Sequence, residues 1–288
     1  MKQIFAGFLL LISCSLSAQE KGWAPAGNKI RSEWAGKVDP ARPLPEYPRP
    51  QMVRGKWLNL NGLWNYSLSA KENESKPSQY DGKILVPFAI ESALSGVGKT
   101  VGKDSVIWYN RSFQLPANFK NSNVLMQFGA VDWRCEVFVN GKLAGKHEGG
   151  YDPFYFDITA LLKSGKNQDV SIRVWDPTDE GPQPNGKQVK KPQGIWYTPV
   201  SGIWQTVWIE AVPKSFIAST KQTPDIDQKT VKVITDLKNT LAGDVLRVTA
   251  YDGGKKISEQ QNTAVEELTL AIPEPRLWSP DQPFLYHL

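Results

Sequence analysis

The sequence is poor in cysteine, histidine and methionine: its 288 residues contain two, two and three of them. With only Cys14 and Cys135 present, a disulfide framework is excluded as the basis of the fold. His147 and His287 are far apart and lack cysteine or carboxylate partners at metal-ligand spacing, so neither a metal centre nor any other cofactor is expected. No apolar run approaches the roughly 20 residues that cross a bilayer as a helix, so no transmembrane span is expected. An excess of charge of one sign is also missing, since 34 Lys and Arg face 29 Asp and Glu. The nearest basic run, Lys187, Lys190 and Lys191, is too sparse to follow a phosphate backbone, which argues against nucleic acid as a partner. G-x-S-x-G, a Walker loop and G-x-G-x-x-G leading into a helix are all missing, so neither a hydrolase elbow nor a nucleotide site has support.

Tryptophan, in contrast, is abundant, with 11 residues. Indoles supply flat apolar faces that suit a β-sandwich core and the C–H faces of a sugar equally well. The chain is long enough for one large or two ordinary domains that bury their own cores.

Residues 1–18 carry an early lysine, an apolar run over 4–12 and the small-residue stretch 13–18, the pattern of a secretory signal. Two processing routes fit it: cleavage after Ala18, or lipid attachment at Cys14 within Leu11-Ile12-Ser13-Cys14. Either route takes the protein out of the cytoplasm, to the periplasm or beyond. Cys135 alternates with Val131, Trp133, Val137 and Val139, so it reads as a buried strand residue in a strand over 131–139. Residues 19–54 are rich in proline and charge, which disfavours strands and favours an extended lead-in.

From residue 55 the pattern is that of strands, at 63–68, 83–87, 106–109 leading into 113–115, 169–175 and 205–212. Asn140-Gly141 between two apolar runs specifies a two-residue type I′ hairpin. Residues 145–151, rich in glycine, read as a turn. One helix of up to two turns is predicted over 160–163, capped by Asp157 or Thr159 and stopped by Gly165. A second unit, 213–288, has strand patterns at 230–237, 244–251, 255–260 and 267–272, with Asp252-Gly253-Gly254 closing a hairpin. It is shorter than the about 100 residues of an immunoglobulin-like sandwich. The sequence also ends in the apolar run Pro283-Phe284-Leu285-Tyr286-His287-Leu288, and the expectation is that the chain is cut short.

The longest loop, 176–202, carries Asp176, Asp179 and Glu180, then Gln188, then Gly194-Ile195-Trp196-Tyr197. Carboxylates, an amide and aromatic planes are what a sugar pocket uses. An exposed, proline-stiffened loop with solvated acids and tryptophans plugging the sandwich end fits the same residues. Three acids on a loop lack the rigid support that a pair of catalytic carboxyl groups needs. Asn73-Glu74 sits in a hydrophilic connector with no apolar strand leading into it.

Taken together, Asn59-Leu60-Asn61-Gly62-Leu63-Trp64, Gly149-Gly150-Tyr151-Asp152-Pro153-Phe154 and Ser201-Gly202-Ile203-Trp204-Gln205-Thr206-Val207-Trp208 resemble the amino-terminal sugar-binding domain of glycoside hydrolase family 2. The stretch Pro275-Arg276-Leu277-Trp278-Ser279-Pro280 resembles a segment near the end of that family's second domain. The resemblance implies an all-β chain: a jelly-roll, galactose-binding-like β-sandwich over 55–212, then an immunoglobulin-like β-sandwich over 213–288 that is truncated. It further implies a retaining β-glycosidase whose two catalytic glutamates sit on a (β/α)₈ barrel of roughly 250 residues, for which this sequence has no positions. The partners it implies are a carbohydrate and that barrel. Asp176, Gln188 and Trp196 are the residues it marks as facing the sugar or the barrel. Pro192, Gln193 and Gly194 stand where some β-galactosidases carry an acidic residue before the loop tryptophan. A free-standing carbohydrate-binding module is the rival reading.

Overall fold

The computed structural model describes residues 23–288 apart from 28, 166 and 264. The predicted leader at 1–18, with Cys14, lies outside the described residues. Among the described residues, seventeen strands follow the lead-in. The first twelve are β1 (Trp57–Asn59), β2 (Gly62–Ala70), β3 (Gly82–Val86), β4 (Ser105–Phe113), β5 (Asn123–Phe128), β6 (Val131–Asp132), β7 (Arg134–Val139), β8 (Lys142–Glu148), β9 (Phe154–Asp157), β10 (Gln168–Trp175), β11 (Gly202–Ile203) and β12 (Val207–Val212). The remaining five are β13 (Phe216–Asp225), β14 (Thr230–Lys238), β15 (Val245–Asp252), β16 (Lys255–Thr263) and β17 (Glu267–Ala271). Among the described residues there is no α-helix, and no helix is long and apolar enough to cross a membrane.

Two sheets build the first sandwich, a four-stranded one in the order β1-β12-β5-β9 and a six-stranded one in the order β3-β2-β4-β10-β7-β8. Alternation places Trp64, Tyr109, Val137 and Ile172 of the larger sheet against Met126, Phe128 and Ile209 of the smaller one, in a single buried cluster. Each large side chain buried this way contributes about 1.5–3 kcal/mol. Cys135 lies in this cluster, as its alternation predicts. The protein is an all-β chain of antiparallel sheets in a jelly-roll and immunoglobulin-like arrangement. In the second unit β13-β14-β17 form one sheet and β15-β16 another, with Val233, Leu246, Val248, Ala250 and Leu270 between them.

Asn140 and Gly141 close the β7–β8 hairpin with φ of 53° and 80°, the two positive values of a type I′ turn. Four sequence expectations need correction. The strand predicted over 131–139 breaks at Trp133, because β6 pairs with β11 whereas β7 pairs with β10 and β8. Residues 145–148 are strand rather than turn. Gly145 is needed there for packing, since a Cβ would come within 2.1 Å of the Phe156 ring. The predicted helix is a single 3₁₀ turn, Thr159–Leu161, with the Thr159 N–H donating to Asp157 Oδ1 at 2.9 Å. β13 was not anticipated, because its polar residues 219–223 mask the alternation.

Among the described residues the lead-in has no strands; buried side chains of the sandwich fasten it, Asn61 Nδ2 donating to Pro43 O at 3.2 Å. Glu210, on β12 and with a wholly buried side chain, pairs with Arg49 and Arg54 at 2.9 Å each. It also accepts hydrogen bonds from the Tyr47 hydroxyl at 2.5 Å and the Trp208 indole at 2.7 Å.

Candidate functional site

The loop between β10 and β11 is organised from its base outward. Asp176, buried at the end of β10, accepts a hydrogen bond from the Thr178 N–H at 2.7 Å, which turns the chain back on itself. Gln183 Nε2 donates to Thr178 O at 2.6 Å. Gly181 must be glycine, since a Cβ would lie 2.2 Å from Gln183 Oε1 and 2.3 Å from Pro177. Farther along, Glu180 pairs with Lys190, and Lys103 Nζ approaches Glu180 at 3.6 Å. Gln188 accepts from the Val200 N–H at 2.5 Å, beside a backbone bridge between Gln188 and Tyr197.

This bracing carries a tip. Trp196 N–H donates to Gln193 O at 3.0 Å across a turn containing Gly194 at φ 58°. The turn presents Ile195, Trp196 and Tyr197 with 68%, 44% and 55% of their surfaces exposed. The tip thus exposes three consecutive apolar or aromatic side chains on a braced loop.

The loop returns to the sandwich at Ser201, which is fully buried and held by two acids. Its N–H donates to Glu91 Oε2 at 3.0 Å and its hydroxyl donates to Asp176 Oδ2 at 2.5 Å. Gly202 follows at φ 84°, where a Cβ would fall 2.0 Å from the Tyr109 hydroxyl. The motif at 149–151 meets the same end. Trp204 Nε1 donates to Gly150 O at 2.8 Å, and the rings of Trp204 and exposed Tyr151 are edge to face at 5.9 Å. Gly150 lies against Asp132, whose carboxyl oxygen would be 2.7 Å from a Cβ there.

Three buried carboxyl groups therefore share this end, and none forms an ion pair among the described residues. Burial pushes Glu91 up to about 7, with repulsion from Asp176 adding to it. Burial, and again Asp176, does the same to Asp132. Asp176 is raised chiefly by burial, against hydrogen bonds that favour its ionised form. Elsewhere burial lifts the Cys135 thiol to about 12, so it is not a nucleophile. No group of three or more His, Cys, Asp or Glu able to hold a metal ion occurs among the described residues.

Of the three residues marked by sequence, Trp196 stands at the exposed tip, whereas Asp176 and Gln188 turn inward and brace the loop. Sequence reasoning missed Glu91, Asp132 and Tyr109. Their available signal was an acid or phenol inside an apolar run, as in Val86-Pro87-Phe88-Ala89-Ile90-Glu91 and Ala130-Val131-Asp132-Trp133. Glu91, Asp132 and Asp176 are all buried, whereas a catalytic acid must touch the oxygen it protonates.

A jelly-roll sandwich with a braced aromatic loop at one end, followed by an immunoglobulin-like unit, is an arrangement compatible with carbohydrate-active proteins. The family description "glycosyl hydrolases family 2, sugar binding domain" matches residues 86–213, and "glycosyl hydrolases family 2" matches 215–288. The chain belongs to glycosyl hydrolases family 2. A β-galactosidase of Thermoanaerobacter pseudethanolicus is 27% identical over 252 residues, covering 80% of this chain and 32% of that protein. A putative β-glucuronidase of Formosa agariphila is 32% identical over 192 residues, covering 63% and 22%. Among solved structures, the Lactobacillus rhamnosus β-glucuronidase superposes with a TM-score of 0.65 at 22% identity, covering 83% of this chain and 42% of that one. The chain thus spans about a third of the first of these curated relatives.

Proposed function

We propose that this chain is the amino-terminal supporting part of an exported, retaining β-glycosidase, and that it shapes the sugar pocket without breaking the bond. The reading divides it into a leader at 1–18, a lead-in at 19–54, a jelly-roll domain at 55–212 and an immunoglobulin-like domain at 213–288. Trp196, with Tyr197, offers a ring face to the sugar or to the barrel beside it. Asp176 and Gln188 serve the same pocket from inside by fixing the loop's shape. The catalytic carboxyl groups belong to a part of the enzyme outside these 288 residues.

The observation that supports this reading is the pairing of an exposed aromatic tip with three acids, Glu91, Asp132 and Asp176, shielded at the loop's base. A rate enhancement of many orders of magnitude requires positioned acid and nucleophile, which binding alone does not replace. Offered chromogenic β-galactosides and β-glucuronides, the purified 288-residue protein should release no dye. Turnover abolished by replacing one of its own acids would overturn the proposal. Calorimetry separates the rival reading, a free-standing binding module, because only that reading predicts millimolar or tighter affinity for simple sugars.

A further inference from the structure

The place where the 176–201 loop rejoins the sandwich is unusual in its charge. Ser201 is clasped from both sides by carboxyl groups, Glu91 through its N–H and Asp176 through its hydroxyl. Glu91 is held in place by a folded segment of its own. Ser95 Oγ donates to Ile90 O at 3.0 Å, Lys99 N–H donates to Ile90 O at 3.2 Å, and Ile90 N–H reaches Ser201 O at 3.5 Å. Its second oxygen, Oε1, is buried and accepts no hydrogen bond among the described residues.

The charged groups that act on Glu91, Asp132 and Asp176 are acids. Asp176 faces Glu91 from the end of β10 and Tyr109 faces it from β4. Asp176 acts in turn on Asp132 of β6, and Asp179 of the loop acts on Asp176. No lysine or arginine forms an ion pair with Glu91, Asp132 or Asp176 among the described residues. Burial and the neighbouring acids favour the protonated form of Glu91 in this clasp, outweighing the hydrogen bonds from Ser201, which favour the ionised form.

We propose that Glu91 is a positioning residue whose protonated carboxyl locks the 176–201 loop onto the sandwich end through Ser201, and whose ionisation releases it. The consequence for sugar recognition rests on the function proposed above, but the lock itself does not. Released, Glu91 returns to water and to an ordinary carboxyl range near its usual 4.5, whereas closed it sits at about 7. Between those values the closed form holds a proton that the open form has lost. The open fraction therefore rises by about tenfold per pH unit per carboxyl group and levels off above neutrality. Asp176 and Asp132 change in the same direction.

The test is trypsin cleavage after Lys187 and Lys190 of the full chain between pH 5 and 8, normalised to cleavage of a free peptide of residues 185–195. Normalised cleavage should climb steeply up to pH 7 and then flatten. In Glu91→Gln the amide oxygen still accepts the Ser201 N–H without a charge, so the dependence on pH should become shallower while the loop stays closed at pH 5. A wild-type profile flat in pH, or a Glu91→Gln profile as steep as wild type, overturns the proposal. Carbon-13 NMR of the Glu91 carboxyl in the unmutated protein gives an independent readout. Titration centred near neutrality supports the lock, and titration in the ordinary carboxyl range overturns it. Neither readout involves sugar, so failure of the lock is distinguishable from failure of the functional assignment.

Discussion

Gly202 shows how much one atom decides at the loop base. Its φ of 84° is left-handed, and a Cβ would lie 2.0 Å from the Tyr109 hydroxyl, itself buried and donor-bonded to by the Ile203 N–H at 3.3 Å. Gly202→Ala therefore combines backbone strain with overpacking and should cost about 3 kcal/mol or more. The urea midpoint reads this cost, and a loss within the noise of a surface substitution would count against the described packing. Glu210 makes the complementary point. Glu210→Ala strands Arg49 and Arg54 beside an apolar side chain and should cost roughly 3–5 kcal/mol. Glu210→Gln keeps an acceptor and should cost less. Residue type alone was an incomplete guide here. Asp176 and Gln188 were marked because acids and amides bind sugars, yet the same groups satisfy buried backbone N–H donors, and the sequence does not distinguish the two uses. Trp196 was marked for its ring and does present it to solvent.

Elements whose signal is local were the legible ones. The β7–β8 hairpin could be read from two residues because Asn-Gly tolerates the required positive φ at both central positions. The structure adds long-range bonds, with Asn140 Nδ2 donating to Leu161 O at 2.8 Å and Oδ1 accepting from the Asp169 N–H at 3.1 Å. Asn140→Ala should lose both the turn preference and these bonds, a cost of about 2–3 kcal/mol. It should lower the urea midpoint with an unchanged slope, and a changed slope would instead implicate the denatured state. The 176–201 loop was legible only as a loop. Its shape depends on Glu91 meeting Ser201 across 110 positions of sequence, and no periodicity or turn motif records such a pairing. The break at Trp133 escaped notice for the same reason, since the apolar alternation continues across it while the pairing partner changes.

At the scale of the whole molecule, the two units differ in how much they bury. The first core includes fully buried Trp64, Tyr109, Phe128 and Met126, whereas the second rests on a few aliphatic side chains of β14, β15 and β17. Amide exchange should therefore report lower opening free energies in β14–β17 than in β2, β4, β10 and β12. Equal protection throughout would contradict that ordering.

The shielded acids also set the sign of stability against pH. A carboxyl group with a native pKa near 7 keeps a proton that the unfolded chain releases near 4, so the native state binds more protons across that interval. Stability then falls as pH rises through it. Glu91 and Asp132 each act this way, and Asp176 adds to them. His147, lowered by burial, works in the opposite sense, but its contribution is complete once pH passes the ordinary histidine value of 6.5. Asp169, held low by Lys76 and Asn110 against its burial, acts only in acid, below the carboxyl values that matter here. The balance favours the carboxyl groups. The protein should lose on the order of 2 kcal/mol or more between pH 5 and pH 7.5. Urea midpoints across that range should fall, Glu91→Gln should fall less, and a midpoint that held steady or rose would mean that the buried acids are ionised within the fold.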